Sequence, residues 1–302
     1  MAKAPPYEGL TAEMPLRDGA RAILRALLSE VLEYAPAVLR GDDTRSVHDM
    51  RVAIRRLRSG LATFEATFQR RRIREFRHAT RRVGRKLGNV RDVDVHLGAL
   101  RGALGGASEA ERPGVVHAID QLVVRRRTLL AEFAIELSQF DRDRSREPSP
   151  MADRSFGGHA KRVIKRALKH LLRDGSNAVG AGDEDALHAL RIDVKRLRYT
   201  IEFAAPLLAE RGREPLALLA LAQERLGALA DADMFARTFG AMQAALPAED
   251  DRAPGLRLLC DDAQRRREAA LEGVRALWHG YPDKLAGSIS ATLGSLSKDD
   301  GS

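Results

Sequence analysis

Two segments of the chain carry a histidine followed by three basic residues at helical spacing. In VHDMRVAIRRLRSGL, which starts at Val47, these residues occupy positions i, i+3, i+7 and i+10. LHALRIDVKRLRYTI, which starts at Leu187, repeats the spacing and the residue types. On an α-helix such positions share a sector of about 80°. The candidate anion-binding residues are therefore His48, Arg51, Arg55, Arg58, His188, Arg191, Lys195 and Arg198.

Each basic stripe runs for roughly 15 Å along its helix and suits a long polyanion. The guanidinium fork of arginine donates two hydrogen bonds to two phosphate oxygens, and a nearby phosphate raises the pKa of a histidine. Without an anion, four such groups repel one another. The alternative interpretations are a solvated charged face and, for His48 and His188, a hydrogen-bonded structural histidine near a helix start.

Basic residues outside the two stripes extend the candidate surface. Residues 70–91 contain ten arginines and lysines but one acid, Glu75, whereas the matching part of the second half is mainly apolar. The first half therefore either contacts more of the ligand or has an additional outward-facing basic patch. Possible additional anion contacts are Arg21, Arg25, Lys161, Lys165, Lys86 and Arg225.

Two pairs of carboxylates follow the basic stripes, at Asp92 and Asp94 and at Asp231 and Asp233. An i,i+2 pair can help to bind a divalent ion, but no histidine or further carboxylate clusters beside either pair. We expect structural salt bridges instead, to arginines at the side of the stripes such as Arg56 and Arg196. No metal site and no cofactor are expected.

The stripes require long helices, and the sequence predicts them almost throughout. Apolar residues recur at three- and four-residue spacing between clusters of glycine and proline. Several segments match at an offset of 139 or 140 residues, which indicates an internal duplication. The predicted fold is all-α, with two antiparallel four-helix bundles related by pseudo-twofold symmetry. The predicted divisions are a flexible N-terminus (1–14), a first repeat (15–140), a linker (141–157), a second repeat (158–282) and a loosely ordered tail (283–302).

Composition limits the class of protein and of partner. The 302 residues carry a net charge of +9, which favours an anionic ligand. The single Cys260 excludes a disulfide framework, and no 18-residue apolar run or signal-peptide core occurs. These features lead us to expect a cytoplasmic protein without a membrane partner.

The duplicated His…Arg segments, each followed some forty residues later by LGNVRDVDV or LGALADADM, resemble the CHAD family (conserved histidine α-helical domain) over about residues 15–280. The resemblance implies two four-helix bundles with a cationic cavity or groove between them. It also implies binding of inorganic polyphosphate, and in some members association with polyphosphate granules. The Arg-Asp pair typical of the family is present at Arg91 and Asp92 but becomes Ala230 and Asp231 in the second half.

The leading hypothesis is non-catalytic polyphosphate binding, and two others compete with it. Nucleic-acid binding would use the net charge, but only 5% of residues are aromatic and none interleaves the stripes for base stacking. A metal-dependent phosphoanhydride hydrolase would need a metal held by carboxylates or an activated nucleophile, and the chain has no motif of either kind.

Overall fold

A computed structural model describes residues 7, 9–41, 43–144, 154–247 and 249–295, and most of them are helical. The predicted all-α class is confirmed, since no β-strand occurs among the described residues. The α-helices are α1 (Leu16–Arg40), α2 (Thr44–Thr63), α3 (Arg70–Gly106), α4 (Arg112–Arg144), α5 (Phe156–Ala181), α6 (Glu184–Leu208), α7 (Arg213–Ala244), α8 (Ala253–Trp278) and α9 (Tyr281–Ser295). Short 3₁₀ helices at Glu65–Thr67 and Ala209–Gly212 follow α2 and α6.

The two helices with basic stripes begin in the same way in each half of the chain. The preceding helices, α1 and α5, end at Gly41 and Gly182, whose positive φ angles of 77° and 67° suit glycine. Asp43 and Asp183 then accept hydrogen bonds from backbone N–H groups in the first turns of α2 and α6. These caps place both stripe histidines close to a helix start.

The two halves contact each other through equivalent helices: α1 with α5, α2 with α6, and α4 with α8. At the α4–α8 contact, a Cβ added to Gly114 would lie 2.1 Å from the carbonyl oxygen of Arg252. Reciprocally, a Cβ added to Gly255 would lie 2.1 Å from the carbonyl oxygen of Glu111. Reciprocal contacts of this kind are the pattern that a twofold-related pair of units produces.

The core lies beneath the apolar faces opposite the two basic stripes. The buried positions of this kind are Met50, Ala53, Ile54, Leu57, Leu61 and Phe64 on α2, and Leu190, Val194, Leu197 and Ile201 on α6. The core of the first half continues across the boundary through Phe203, Phe235 and Phe239 of the second half. The apolar contacts therefore join the two halves and hold α2 and α6 in a defined relation.

The C-terminal segment differs from the expectation of a loose tail, which is wrong for residues 283–295. Helix α9 buries Leu285, Ile289 and Leu293, which are spaced by four residues and form one apolar stripe. Tyr281 Oη also donates a hydrogen bond of 3.1 Å to the carbonyl oxygen of Leu218. The second half therefore has five helices rather than four. Residues 296–302 lie outside the described part of the chain.

The N-terminal segment also packs on the body, against the expectation of flexibility. Tyr7 and Leu10 are buried, and the backbone N–H of Phe156 donates to the carbonyl oxygen of Met14 at 3.0 Å. Burial of the two apolar side chains opposes the chain entropy of a free end. Of the predicted linker, residues 145–153 lie outside the described residues, while α4 extends as far as Arg144.

Candidate functional site

The two basic stripes line one cleft between α2 and α6, with α3 and α7 completing its walls. The cleft consists of two adjoining cavities of about 370 Å³ each. One, the mixed cavity, is lined by both basic and acidic residues. None of the residues that line the other, the basic cavity, is acidic. Both cavities are lined by Arg51, Arg55, His188, Arg191 and Lys195.

Two glycines on α3 let this helix run close along the basic face of α2. A Cβ added to Gly84 would lie 3.0 Å from Ile54 Cγ2 and 3.6 Å from Arg58 Cδ. A Cβ added to Gly88 would lie 3.8 Å from Arg51 Nε. Larger side chains at these positions would therefore crowd the arginines, and α3 forms a wall of the cleft beside them.

Arg55 and Arg191 present unused hydrogen-bond donors inside the cleft. The Nε atom of each is buried and has no hydrogen-bond partner among the described residues. Burial lowers the pKa of both guanidinium groups. Because an unsatisfied buried donor is unfavourable, an anion with several oxygens would relieve both positions.

Lys195 lies among the arginines with little charge of its own at neutral pH. Burial, with the charges of Arg191 and Arg55, lowers the pKa of Lys195 to about 6. Burial also lowers the pKa of His48 and of His188, with further lowering by neighbouring arginines. These three groups are therefore mostly neutral in the ligand-free cleft near pH 7, and a bound polyanion would raise their pKa values.

Two carboxylates in the mixed cavity partly balance this charge. Asp92 lies 3.7 Å from Arg51 Nη2. Burial raises the pKa of Asp231, while the charges of Arg191 and Arg51 act in the opposite direction. The mixed cavity therefore holds an internal arginine–aspartate network, and the basic cavity has the less compensated charge.

The other two carboxylates pair with arginines that sequence reasoning did not select. Asp94 Oδ1 lies 2.6 Å from Arg126 Nε, and Asp233 Oδ1 lies 2.7 Å from Arg267 Nε. These arginines lie on α4 and α8, 141 residues apart, so the duplication is shifted by one residue there relative to the stripes. The offset of the glycines Gly114 and Gly255 is the same.

Arg56 and Arg196, which we expected to pair with these aspartates, do not. Arg56 is 2% exposed and pairs with Glu30 at 2.9 Å and Glu202 at 3.3 Å. Arg196 is exposed and lies 4.0 Å from Asp193 on its own helix. The prediction of their partners is wrong because helical spacing gives the direction of a side chain but not the helix that it meets.

Arg198 is the one stripe residue that does not line either cavity of the cleft. Its guanidinium donates to Glu202 at 3.0 Å and to Gln223 at 3.1 Å. Its equivalent Arg58 lines the basic cavity, so the two halves are not equal at this position. A carboxylate four residues further along α6 draws Arg198 away from the cleft.

The possible additional contacts do not line the cleft either. Lys86 lies 2.7 Å from Glu132 on α4, and Arg225 lies beside Gly273 on α8. The residues on α1 and α5 that are likewise absent from the cavity walls are Arg21, Arg25, Lys161 and Lys165. Basic residues that line the cleft without having been selected are Arg77, Arg81, Arg91, Arg196 and Arg237. Three of them belong to the arginine-rich segment 70–91, whose composition was the signal.

The described residues contain no group of three or more His, Cys, Asp or Glu side chains that could hold a metal ion. Within the same residues, none of the helices has the length and apolar character needed to cross a membrane.

The chain is similar in fold to two solved structures. A crystal structure of the CHAD domain from the plant Ricinus communis is 24% identical, with a TM-score of 0.73 over 92% of this chain and 96% of that chain. PptA from Streptomyces chartreusis is 18% identical, with a TM-score of 0.66 over 88% of this chain and 100% of that chain. No curated protein matches the sequence. At these identities the likeness shows the fold alone.

The family assignment comes from the sequence. The CHAD domain family matches residues 22–239, a range that runs from α1 into α7 and includes both basic stripes and both carboxylate pairs. The all-helical fold and the match to a CHAD domain crystal structure agree with it. The resemblance noted in the sequence is therefore confirmed, and the chain belongs to the CHAD domain family.

Proposed function

We propose that the cleft binds inorganic polyphosphate and does not catalyse its breakdown. The observation that carries the proposal is that basic side chains from both stripes meet in one cleft, where Arg55 Nε and Arg191 Nε are buried without partners. A chain of phosphates offers many anionic oxygens along one line, which matches donors arranged along two facing helices.

A flexible phosphate chain suits the cleft better than a nucleic acid does. The one aromatic residue among those lining the two cavities is Tyr199, which is 3% exposed. Recognition of single strands relies on exposed aromatic rings for base stacking, and such a surface is not present among the lining residues. Binding would therefore depend on the phosphates, and a protein of this kind would be expected at cytoplasmic polyphosphate granules.

The test is a double charge reversal, Arg51→Glu with Arg191→Glu, measured by equilibrium binding of long-chain polyphosphate. We expect submicromolar binding by the unaltered protein, affinity that falls with added salt, and loss of binding in the variant. The control is Arg265→Glu with Arg266→Glu, which changes the net charge equally on the exposed face of α8. Normal binding by the cleft variant would disprove the proposal, provided that its circular dichroism and melting temperature show a folded protein.

Two further measurements separate the competing functions. DNA or RNA that displaces polyphosphate at equal charge concentration would favour nucleic-acid binding instead. Release of orthophosphate in the presence of Mg²⁺ or Mn²⁺, abolished by Asp92→Asn with Asp94→Asn, would favour a hydrolase. We expect neither result.

A further inference from the structure

The basic cavity of the cleft leads into a third cavity at the start of α3. This cavity has a volume of about 650 Å³ and is lined mainly by arginines. Arg77 and Arg81 line both the third cavity and the basic cavity, so the two are neighbours. We call the third cavity the α3 track. Its other basic residues are Arg72, Arg74, His78 and Arg82.

The arginines of the track follow one face of α3 toward the cleft. Arg74, Arg77, Arg81 and Arg85 occupy positions i, i+3, i+7 and i+11, which stay within one sector of the helix. This face extends for about 16 Å. The charges of Arg81 and Arg85 reach Arg58 in the cleft, where they add to burial in lowering its pKa.

Glutamates neutralise only part of this charge. Arg77 pairs with Glu65, and Arg72 lies 3.6 Å from Glu75. Arg82 lies 2.7 Å from Glu136 on α4. Arg81, at the junction with the cleft, is exposed and forms no ion pair with any described residue. A polyanion would have to displace or share Glu65 and Glu75, but at the junction it would meet an uncompensated cation.

The second half of the chain has no counterpart of this surface. At the offset of 139 residues that relates α3 to α7, Arg77 corresponds to Leu216 and Arg81 to Ala220. Arg85 corresponds to Glu224, which reverses the charge. A ligand that leaves the symmetric cleft therefore finds an arginine-lined path on one side.

We propose that a long polyphosphate chain leaves the cleft in one direction and continues along the α3 track. This inference rests on the proposed function, because it concerns the part of the same ligand that the cleft does not hold. The track would add affinity for long chains and none for short ones. Chain-length preference would thus come from the asymmetry between the halves and not from the duplicated cleft.

The test compares two double variants of neighbouring arginines. Arg72→Gln with Arg74→Gln removes two charges from the track without altering a residue that lines the cleft. Arg70→Gln with Arg71→Gln removes the same charge from the same helical turn but outside the track. Each protein is titrated with tripolyphosphate and with polyphosphate of graded length at several salt concentrations.

We expect the track variant to bind long chains about tenfold more weakly than the unaltered protein, because two charge-assisted contacts are lost. Its slope of log affinity against log salt should fall by about 1 to 1.5 for long chains. Tripolyphosphate binding should be unchanged in both variants, and the control variant should lose little affinity for any chain.

Equal weakening by the two double variants, or normal long-chain binding by the track variant, would overturn the track. If either result comes with loss of long-chain binding in Arg51→Glu with Arg191→Glu, the proposed function stands and the track alone fails. If the unaltered protein binds no polyphosphate, the proposed function fails, and the track fails with it.

Discussion

At the scale of single residues, the cleft keeps several cations from being charged until a ligand arrives. The pKa of Lys195 is about 6, and burial lowers the pKa values of His48 and His188. Near pH 7 these groups are mostly deprotonated in the free protein. A bound polyanion raises their pKa values, so binding takes up protons.

The affinity for polyphosphate should therefore decrease as pH rises from about 6 to 8.5. Above pH 6 the free Lys195 has lost its proton and the bound form has to regain it, whereas below that pH it is already protonated. Titration calorimetry in buffers with different ionisation enthalpies would measure the proton uptake directly. In Lys195→Arg the charge is permanent, and we expect a shallower dependence. Constant affinity between pH 6 and 8 would contradict the argument.

The same lysine should lower the stability of the ligand-free protein. Its folded pKa lies below the usual value of about 10.4, so between pH 6 and 10.4 the unfolded chain binds more protons than the native one. In that window the contribution of Lys195 to stability rises with pH, and at pH 7 it is unfavourable.

We expect Lys195→Met to raise the melting temperature at pH 7 by about 2 °C, with a larger gain at pH 6 than at pH 9. The variant should at the same time bind polyphosphate more weakly. Lys284→Met, at an exposed position on α9, is the control and should leave both properties almost unchanged. A lower melting temperature in Lys195→Met at pH 7 would show that its apolar stem or ammonium group contributes favourable contacts.

At the scale of elements, the cleft depends on how closely the equivalent helices approach one another. The α4–α8 contact brings the Cα atoms of two glycines into a position that leaves no room for a side chain. This contact lies between the halves and helps to set the distance across which α2 and α6 face each other.

Gly114→Ala should therefore destabilise the protein by about 1–3 kcal/mol, because the added methyl group would meet backbone atoms of α8. Denaturant unfolding monitored by circular dichroism would measure the change. Gly102→Ala on α3 is the matched control, since a Cβ there would meet nothing within 4 Å. That control should be neutral or stabilising by up to about 1 kcal/mol. Equal stability of Gly114→Ala and the unaltered protein would mean that α4 and α8 separate easily.

At the scale of the whole molecule, a buried ion network joins the two halves. Arg56 on α2 pairs with Glu30 on α1 and with Glu202 on α6, and Arg198 shares the second carboxylate. Burial raises the pKa of Glu30 even though Arg56 opposes the effect. The network lies behind the cleft and spans the boundary between the halves.

Arg56→Met should destabilise the protein by about 3–5 kcal/mol at pH 7, because it leaves two buried carboxylates without their central partner. The loss should be smaller at pH 5, since carboxylates that have raised pKa values can take up protons as the pH falls. Unfolding measured at both pH values would test this. Arg265→Met, at an exposed position on α8, should change stability little. A loss that is the same at pH 5 and pH 7 would indicate that packing, and not charge, dominates at Arg56.

Helical spacing alone was enough to predict the all-α class, the duplication and seven of the eight stripe residues that line the cleft. Period and residue type determine which face of a helix is basic and which is apolar. They do not determine the neighbour of that face. Arg198 therefore appeared equivalent to Arg58 until Glu202 and Gln223 were seen beside it.

Tertiary packing alone decided the partners. It brought α2 and α6 together, placed Arg56 in the core and paired Asp94 and Asp233 with arginines of α4 and α8. It also ordered α9, whose apolar residues are too sparse in a Ser- and Gly-rich segment to indicate a helix without the surface on which they pack. Contacts between distant segments depend on which apolar faces cover one another, and that is a property of the assembled chain.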